Sequence, residues 1–144
     1  MKLTANKINS ARREEGAWVK DLPDMEDLEL KVRGVGNSDY RRMQTALLKT
    51  VPPKERRKGL LPATQDRIAV ELQVETLLED WKNVTDDAGK PIPFSKETAR
   101  EILSNPDYEV FRNAVAYAAG VVAEDEEEGR EEDVKNSSSA SAGN

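Results

Sequence analysis

The chain has 144 residues, of which 37% are apolar, 5% aromatic and 35% charged, with 22 Lys plus Arg against 28 Asp plus Glu and neither Cys nor His. Without a thiol or an imidazole there is no disulfide frame, no zinc-finger spacing, no Cys nucleophile and no Ser-His-Asp triad. The longest apolar stretch, Ala114 to Ala123, is little more than half of the ~18 residues that a membrane span needs, so no membrane association is expected.

The first dozen residues are polar and aperiodic, and residues 1–13 are expected to form a flexible arm. Basic residues between Met1 and Lys7 are followed by no apolar run, so a secretory signal is not expected and a cytoplasmic setting is. A single globular domain is expected over residues 14–123. Trp18 and Val19 precede the turn-like Asp21-Leu22-Pro23-Asp24, after which Leu28, Leu30 and Val32 alternate with charged residues. That period of two predicts a β-hairpin, which needs a second layer to be stable.

Helices are expected to supply that layer. Asn37 or Ser38 can cap a helix carrying Tyr40, Met43, Leu47, Leu48 and Val51, which Pro52 and Pro53 end. Residues 54–59 read as an exposed basic linker. A longer helix is predicted from Pro62–Thr64 onward, with Val70, Val74, Leu77, Leu78 and Trp81 on one stripe and Ile68 and Leu72 on nearly the opposite side. Ile68 and Leu72 are the candidate partner-binding residues, although a helix with two apolar faces is more commonly buried on both. Asp86, Asp87 and Gly89 predict a turn, and Pro91 to Phe94 an extended segment. Ser95 can cap a short helix with Ala99, Ile102 and Leu103, and Asn105-Pro106 can open a last one with Tyr108, Phe111, Val115, Ala118 and Val122 inward. The fold class is therefore α+β and mainly helical, an N-terminal β-hairpin packed on about four helices.

The charge is segregated. Residues 124–133 hold eight acidic side chains and one Arg, and in residues 134–144 Val134 is the sole large apolar side chain. Such a composition cannot offset the entropy of ordering, and residues 124–144 are expected to be a disordered acidic, Ser-rich tail.

Three blocks carry a resemblance: Glu15-Gly16-Ala17-Trp18-Val19 with Leu30-Lys31-Val32-Arg33 and Asn37-Ser38-Asp39-Tyr40; Leu78-Glu79-Asp80-Trp81-Lys82 with Asp87-Ala88-Gly89-Lys90 and Pro91-Ile92-Pro93-Phe94-Ser95; and Ala99-Arg100-Glu101-Ile102-Leu103-Ser104-Asn105-Pro106-Asp107. In order and spacing over about residues 14–120 they resemble the tail assembly chaperones of long-tailed bacteriophages and prophages. The resemblance implies a protein of the host bacterial cytoplasm, absent from the mature virion. It would bind the tape measure protein, keep it soluble and assist tail tube polymerisation around it, with tape measure and tail tube proteins as partners. A frameshifted longer product is a further feature of such families.

Other readings of the same residues remain. Arg41, Arg42, Lys54, Arg56, Arg57 and Lys58 could bind phosphates, making the chain a small nucleic-acid-binding regulator that uses the 54–58 segment. Asp39 and Glu55 dilute that patch and no recognition motif accompanies it, so no nucleic acid is the expectation. Trp18 and Trp81 could be interface anchors, but aromatic area is scarce here and both are expected in the core. Gly34-Val35-Gly36 lacks the third Gly of a dinucleotide loop, and Asp86-Asp87-Ala88-Gly89 does not fit a calcium loop. No catalytic residue, metal site or cofactor is expected, and the chain is not expected to be an enzyme; homo-oligomerisation is left open, because no coiled-coil seam sets a number.

Overall fold

The computed structural model describes residues 1–6 and 9–124; the expected acidic tail, apart from Glu124, lies outside the described residues. The fold is α+β and mainly helical. A short 3₁₀ turn at Leu3–Asn6 is followed by α1 (Ser10–Glu15), β1 (Ala17–Val19), β2 (Glu29–Val32), α2 (Ser38–Lys49), α3 (Pro53–Lys58) and α4 (Pro62–Leu72). A π-helical turn at Gln73–Leu77 leads into β3 (Leu78–Lys82), and then come α5 (Lys96–Ser104), a 3₁₀ turn at Pro106–Tyr108 and a final helix, α6, described over 109–124.

β1 and β2 form the expected antiparallel pair, with Trp18 opposite Lys31 and Val19 opposite Leu30. The sheet has a third strand, however, and that corrects the reading of one long helix through Trp81. β3 pairs antiparallel with the other edge of β2, Leu30 opposite Trp81, with a bulge that shifts the register between Lys31 and Val32. Where the helix gives way, the Thr76 hydroxyl donates to the Leu72 carbonyl at 2.6 Å, a bond that competes with the main-chain N–H for that acceptor. β2 becomes the central strand, and Leu30 and Val32 are fully buried.

The main core lies between this sheet and the helices, where Leu30, Val32, Val70, Val74, Leu103 and Val115 meet. Trp81 closes it from β3. Its ring makes edge contacts with Phe94 at 4.9 Å and Phe111 at 5.9 Å, and its Nε1–H donates to the Ile92 carbonyl at 2.7 Å. Trp81 is thus in the core as expected, whereas Trp18 is not: it stands on the outer face of β1, 37% exposed, with the Lys82 ammonium 4.2 Å above its ring.

Two further segments differ from expectation. The basic stretch after Pro52 is a helix, α3, with Pro53 at its first position and Arg56, Arg57 and Lys58 in its last turn, where the helix dipole favours cations. Residues 10–13, expected within a flexible arm, belong to α1, which Asn9 caps by accepting from the Arg12 N–H at 3.0 Å. Three further caps fall as the residue types predict. Asn37 accepts from the Tyr40 N–H, Ser95 from the Thr98 N–H and Asn105 from the Asp107 N–H. Tyr108 departs from the inward side assigned to it and is 50% exposed.

Candidate partner-binding surface

The two sequence candidates, Ile68 and Leu72, are 7% and 4% exposed. They join Val51 in a second cluster on the back of α4, covered by Tyr40, Met43, Leu47, Leu48 and Leu60. The structure therefore corrects their assignment: α2 and the segment after it take up this second apolar face, so its side chains are core in the folded chain. What remains accessible is the covering layer itself. No residue of α2 is buried, and Tyr40, Met43, Leu47 and Leu48 are each half-buried.

Grooves lie on both sides of α2. One, of about 460 Å³, is floored by Met43, Ala46, Leu47 and Thr76 and rimmed by Asp39, Arg42 and Glu75. The other, of about 230 Å³, runs between α2 and α6 and is lined by Val35, Tyr40, Leu72, Leu77, Ala116 and Ala119. Leu72 thus contributes an edge to the second groove, while Ile68 lines neither. Beside them α6 presents Val110, Asn113, Ala116 and Tyr117 outward, and no charged residue occurs between Arg112 and Glu124. Val35 is 40% exposed, Tyr117 51% and Val110 59%. Sequence reasoning assigned α6 only by its inward face; the missing charges on its outward face were the legible signal.

Charged groups fix α2 in place. The Arg33 guanidinium donates to Asp39 Oδ2 at 2.7 Å and to the Glu14 carbonyl oxygen at 2.6 Å, and also reaches the Glu14 carboxylate at 3.4 Å. The same carboxylate accepts from the Ser38 hydroxyl at 2.6 Å and the Ser38 N–H at 2.9 Å. The Ser38 hydroxyl, with Arg33 assisting, holds the Glu14 carboxyl below its usual pKa, and Arg33 does the same for Asp39. On the far side of the larger groove Lys96 and Arg100 together lower the pKa of Glu75, and Arg100 also pairs with Glu71 at 3.0 Å. The first set ties α1 to α2 and the second ties α4 and the π-helical turn to α5, and Asp39 and Glu75 stand at the edge of the larger groove.

A third cavity, of about 490 Å³, is lined by Asp66, Arg67, Glu71, Glu109 and Arg112, with Arg112 paired to Asp66 at 3.4 Å. Among the described residues no group of three or more metal-ligating side chains comes together, and no helix is long and apolar enough to cross a membrane. Lys54, Arg56, Arg57 and Lys58 of α3 are exposed.

The sequence pattern of the YdaY prophage protein family matches residues 35–136, more than two-thirds of the chain. The chain belongs to that family. The matched span opens at Val35, in the turn before α2, and takes in α2 to α6, both grooves and the acidic segment beyond Glu124; α1, β1 and β2 lie outside it. As a YdaY prophage protein the chain fits the prophage part of the expectation drawn from its sequence blocks. No curated protein and no solved structure matches it.

Proposed function

We propose that this YdaY prophage protein is a tail assembly chaperone, which binds the tape measure protein, keeps it soluble and assists tail tube polymerisation around it in the host bacterial cytoplasm. The observation that carries this reading is the larger groove beside α2, apolar on the floor with Asp39, Arg42 and Glu75 on the rim, together with the uncharged smaller groove toward α6 and the charge-free stretch 113–123 of that helix. A tape measure protein is a very long helical chain whose apolar stripes aggregate when unpaired. An amphipathic helix sets its i, i+3, i+4 and i+7 side chains into a groove of this kind, leaving its polar side in water. Asp39, Arg42 and Glu75 would pair with charges flanking such a stripe and would keep the empty groove soluble. Reversible capture of this sort needs no nucleotide, metal or covalent step, and the protein acts without enzymatic activity.

Co-expression tests the reading. The chaperone should move a tape measure protein from the insoluble to the soluble fraction and elute with it, and Ala46→Asp, at an exposed position of the larger groove, should abolish both while leaving the fold intact. A tape measure protein that stays insoluble at matched expression, with no complex, overturns it.

A second reading is favoured by one observation, the exposed cluster Lys54, Arg56, Arg57 and Lys58 on α3. A small nucleic-acid-binding regulator using this segment would bind oligonucleotides with an affinity that falls steeply with salt through counterion release. Absence of a mobility shift at low salt removes it.

A further inference from the structure

The charge of this chain is concentrated in two short stretches of opposite sign. Residues 41–58, which form α2 from its first turn and all of α3, contain seven basic side chains and one acidic one, Glu55. Residues 124–133 contain eight acidic side chains and one basic one, Arg130. Of the seven basic groups only Arg42 makes an ion pair among the described residues, with Asp39 at 3.2 Å; Arg41, Lys49, Lys54, Arg56, Arg57 and Lys58 are exposed.

The fold brings the origin of the acidic stretch to the start of the basic one. The Val35 N–H donates to the Ala119 carbonyl at 3.2 Å, and the main chain of Ala123 lies so close to Gly34 that an added Cβ would stand 3.1 Å from it. The chain therefore leaves α6 beside the turn that opens α2. From there α2 is about 18 Å long and α3 about 9 Å, at 1.5 Å of rise per residue. Ten residues of extended chain reach about 33 Å, enough to follow both helices.

We propose that the acidic segment 124–133 docks in cis on the basic surface of α2 and α3, as an internal occupant that shields this surface from other polyanions. Each exposed pair is weak by itself, but many like charges facing an opposite set at effectively high local concentration favour the closed arrangement. The contact is electrostatic and is therefore screened by salt, the Debye length falling from about 10 Å at 0.1 M to about 3 Å at 1 M. It rests on charged side chains and not on the apolar floors of the grooves, and its test does not require the chaperone reading.

Because the chain contains no Cys, a single nitroxide can be placed on the full-length protein by Ser137→Cys, and paramagnetic broadening of its amide signals reports where the segment sits. The expected result is selective loss of amide intensity along 41–58 at low salt, recovered in high salt and in the variant Lys54→Gln, Arg56→Gln, Arg57→Gln, Lys58→Gln. These four side chains are exposed, so the variant keeps the fold, which its remaining amide shifts verify. A mixture of labelled unenriched chains with unlabelled enriched ones should show no such loss. Broadening centred on α1 or the sheet, broadening unchanged in the four-Gln variant, broadening in the mixture, or none at all would each overturn the proposal.

Discussion

The side-chain amide of Asn37 donates to the main-chain carbonyl of Thr76 at 2.9 Å, from a position wholly out of contact with water. One fully buried side chain thereby ties the first turn of α2 to the π-helical turn that launches β3. Its second N–H goes to the Gly34 carbonyl at 3.0 Å and its oxygen caps α2 at the Tyr40 N–H at 2.9 Å.

Replacing Asn37 tests how far α2 depends on this tie. Asn37→Ala removes the cap and leaves buried carbonyls without a donor, and should cost about 2–3 kcal/mol. Asn37→Asp keeps the cap but loses both donors and sets a carboxylate against two carbonyls, so it should be the worse of the two. Urea unfolding of both variants checks the order; equal, small losses would show that α2 is held by its apolar side alone.

Trp81 and Trp18 should behave as opposites. Trp81→Phe leaves the Ile92 carbonyl without its donor and should cost about 1–3 kcal/mol, and Trp81→Ala about 3–5 kcal/mol. Trp18→Phe, on an outer strand face, should stay within about 0.5 kcal/mol of the parent. The emission of the Trp18→Phe protein should be that of a buried indole and should move to the red on unfolding. A red-shifted folded spectrum would place Trp81 in water and contradict the core described here.

Two glycines predict opposite signs for the same change. At Gly34 an added Cβ would stand 3.1 Å from the main chain of Ala123, which has no flexible end to move aside, so Gly34→Ala should destabilise by about 1–3 kcal/mol. At Gly120, within α6, an added Cβ meets nothing within 4 Å, and Gly120→Ala should stabilise by up to about 1 kcal/mol through helix propensity. Thermal unfolding of both variants reads the two signs.

Acid should loosen the mount of α2. Glu14, Asp39 and Glu75 all have pKa values lowered in the folded chain, by Ser38, by Arg33 and by Lys96 with Arg100 respectively. A carboxyl with a lowered folded pKa binds fewer protons when folded than when unfolded. Its contribution is complete above the unfolded value of about 4 and is lost as pH falls through the folded one. Stability should therefore drop below about pH 4. Arg33→Gln removes the chief cause at Asp39 and an assisting one at Glu14, so it should flatten that dependence in denaturation midpoints taken from pH 7 to 3. An unchanged slope would show that Arg33 does not hold these carboxylates.

Much of this architecture was legible in the residues. Alternation at Leu28, Leu30 and Val32 marked β2, and Asn37, Ser95 and Asn105 marked helix starts because each offers an oxygen to a free N–H. β3 was hidden because Val74, Leu77, Leu78 and Trp81 satisfy a helical period as well as a strand does, and no Gly or Pro interrupts them. What decides between the two is tertiary: the buried β2 needs a partner on its second edge, and the sequence of residues 73–82 does not contain that information. α3 could have been read from Pro53 at its first position and the cations in its last turn. Ile68 and Leu72 were rightly seen as a second apolar face, but whether α2 or a partner covers that face depends on the path of the chain after Gly36. The accessible surface lies one layer further out, on α2 and α6.

Co-purification with a tape measure protein tests the central claim most directly. With expression levels matched, the account predicts a soluble complex with the unaltered protein, complex loss with Ala46→Asp or Val35→Asp, and retention of the complex when the exposed Lys54, Arg56, Arg57 and Lys58 are changed to Gln. A tape measure protein that remains insoluble beside the unaltered protein, or one captured equally well by the groove variants, would contradict it.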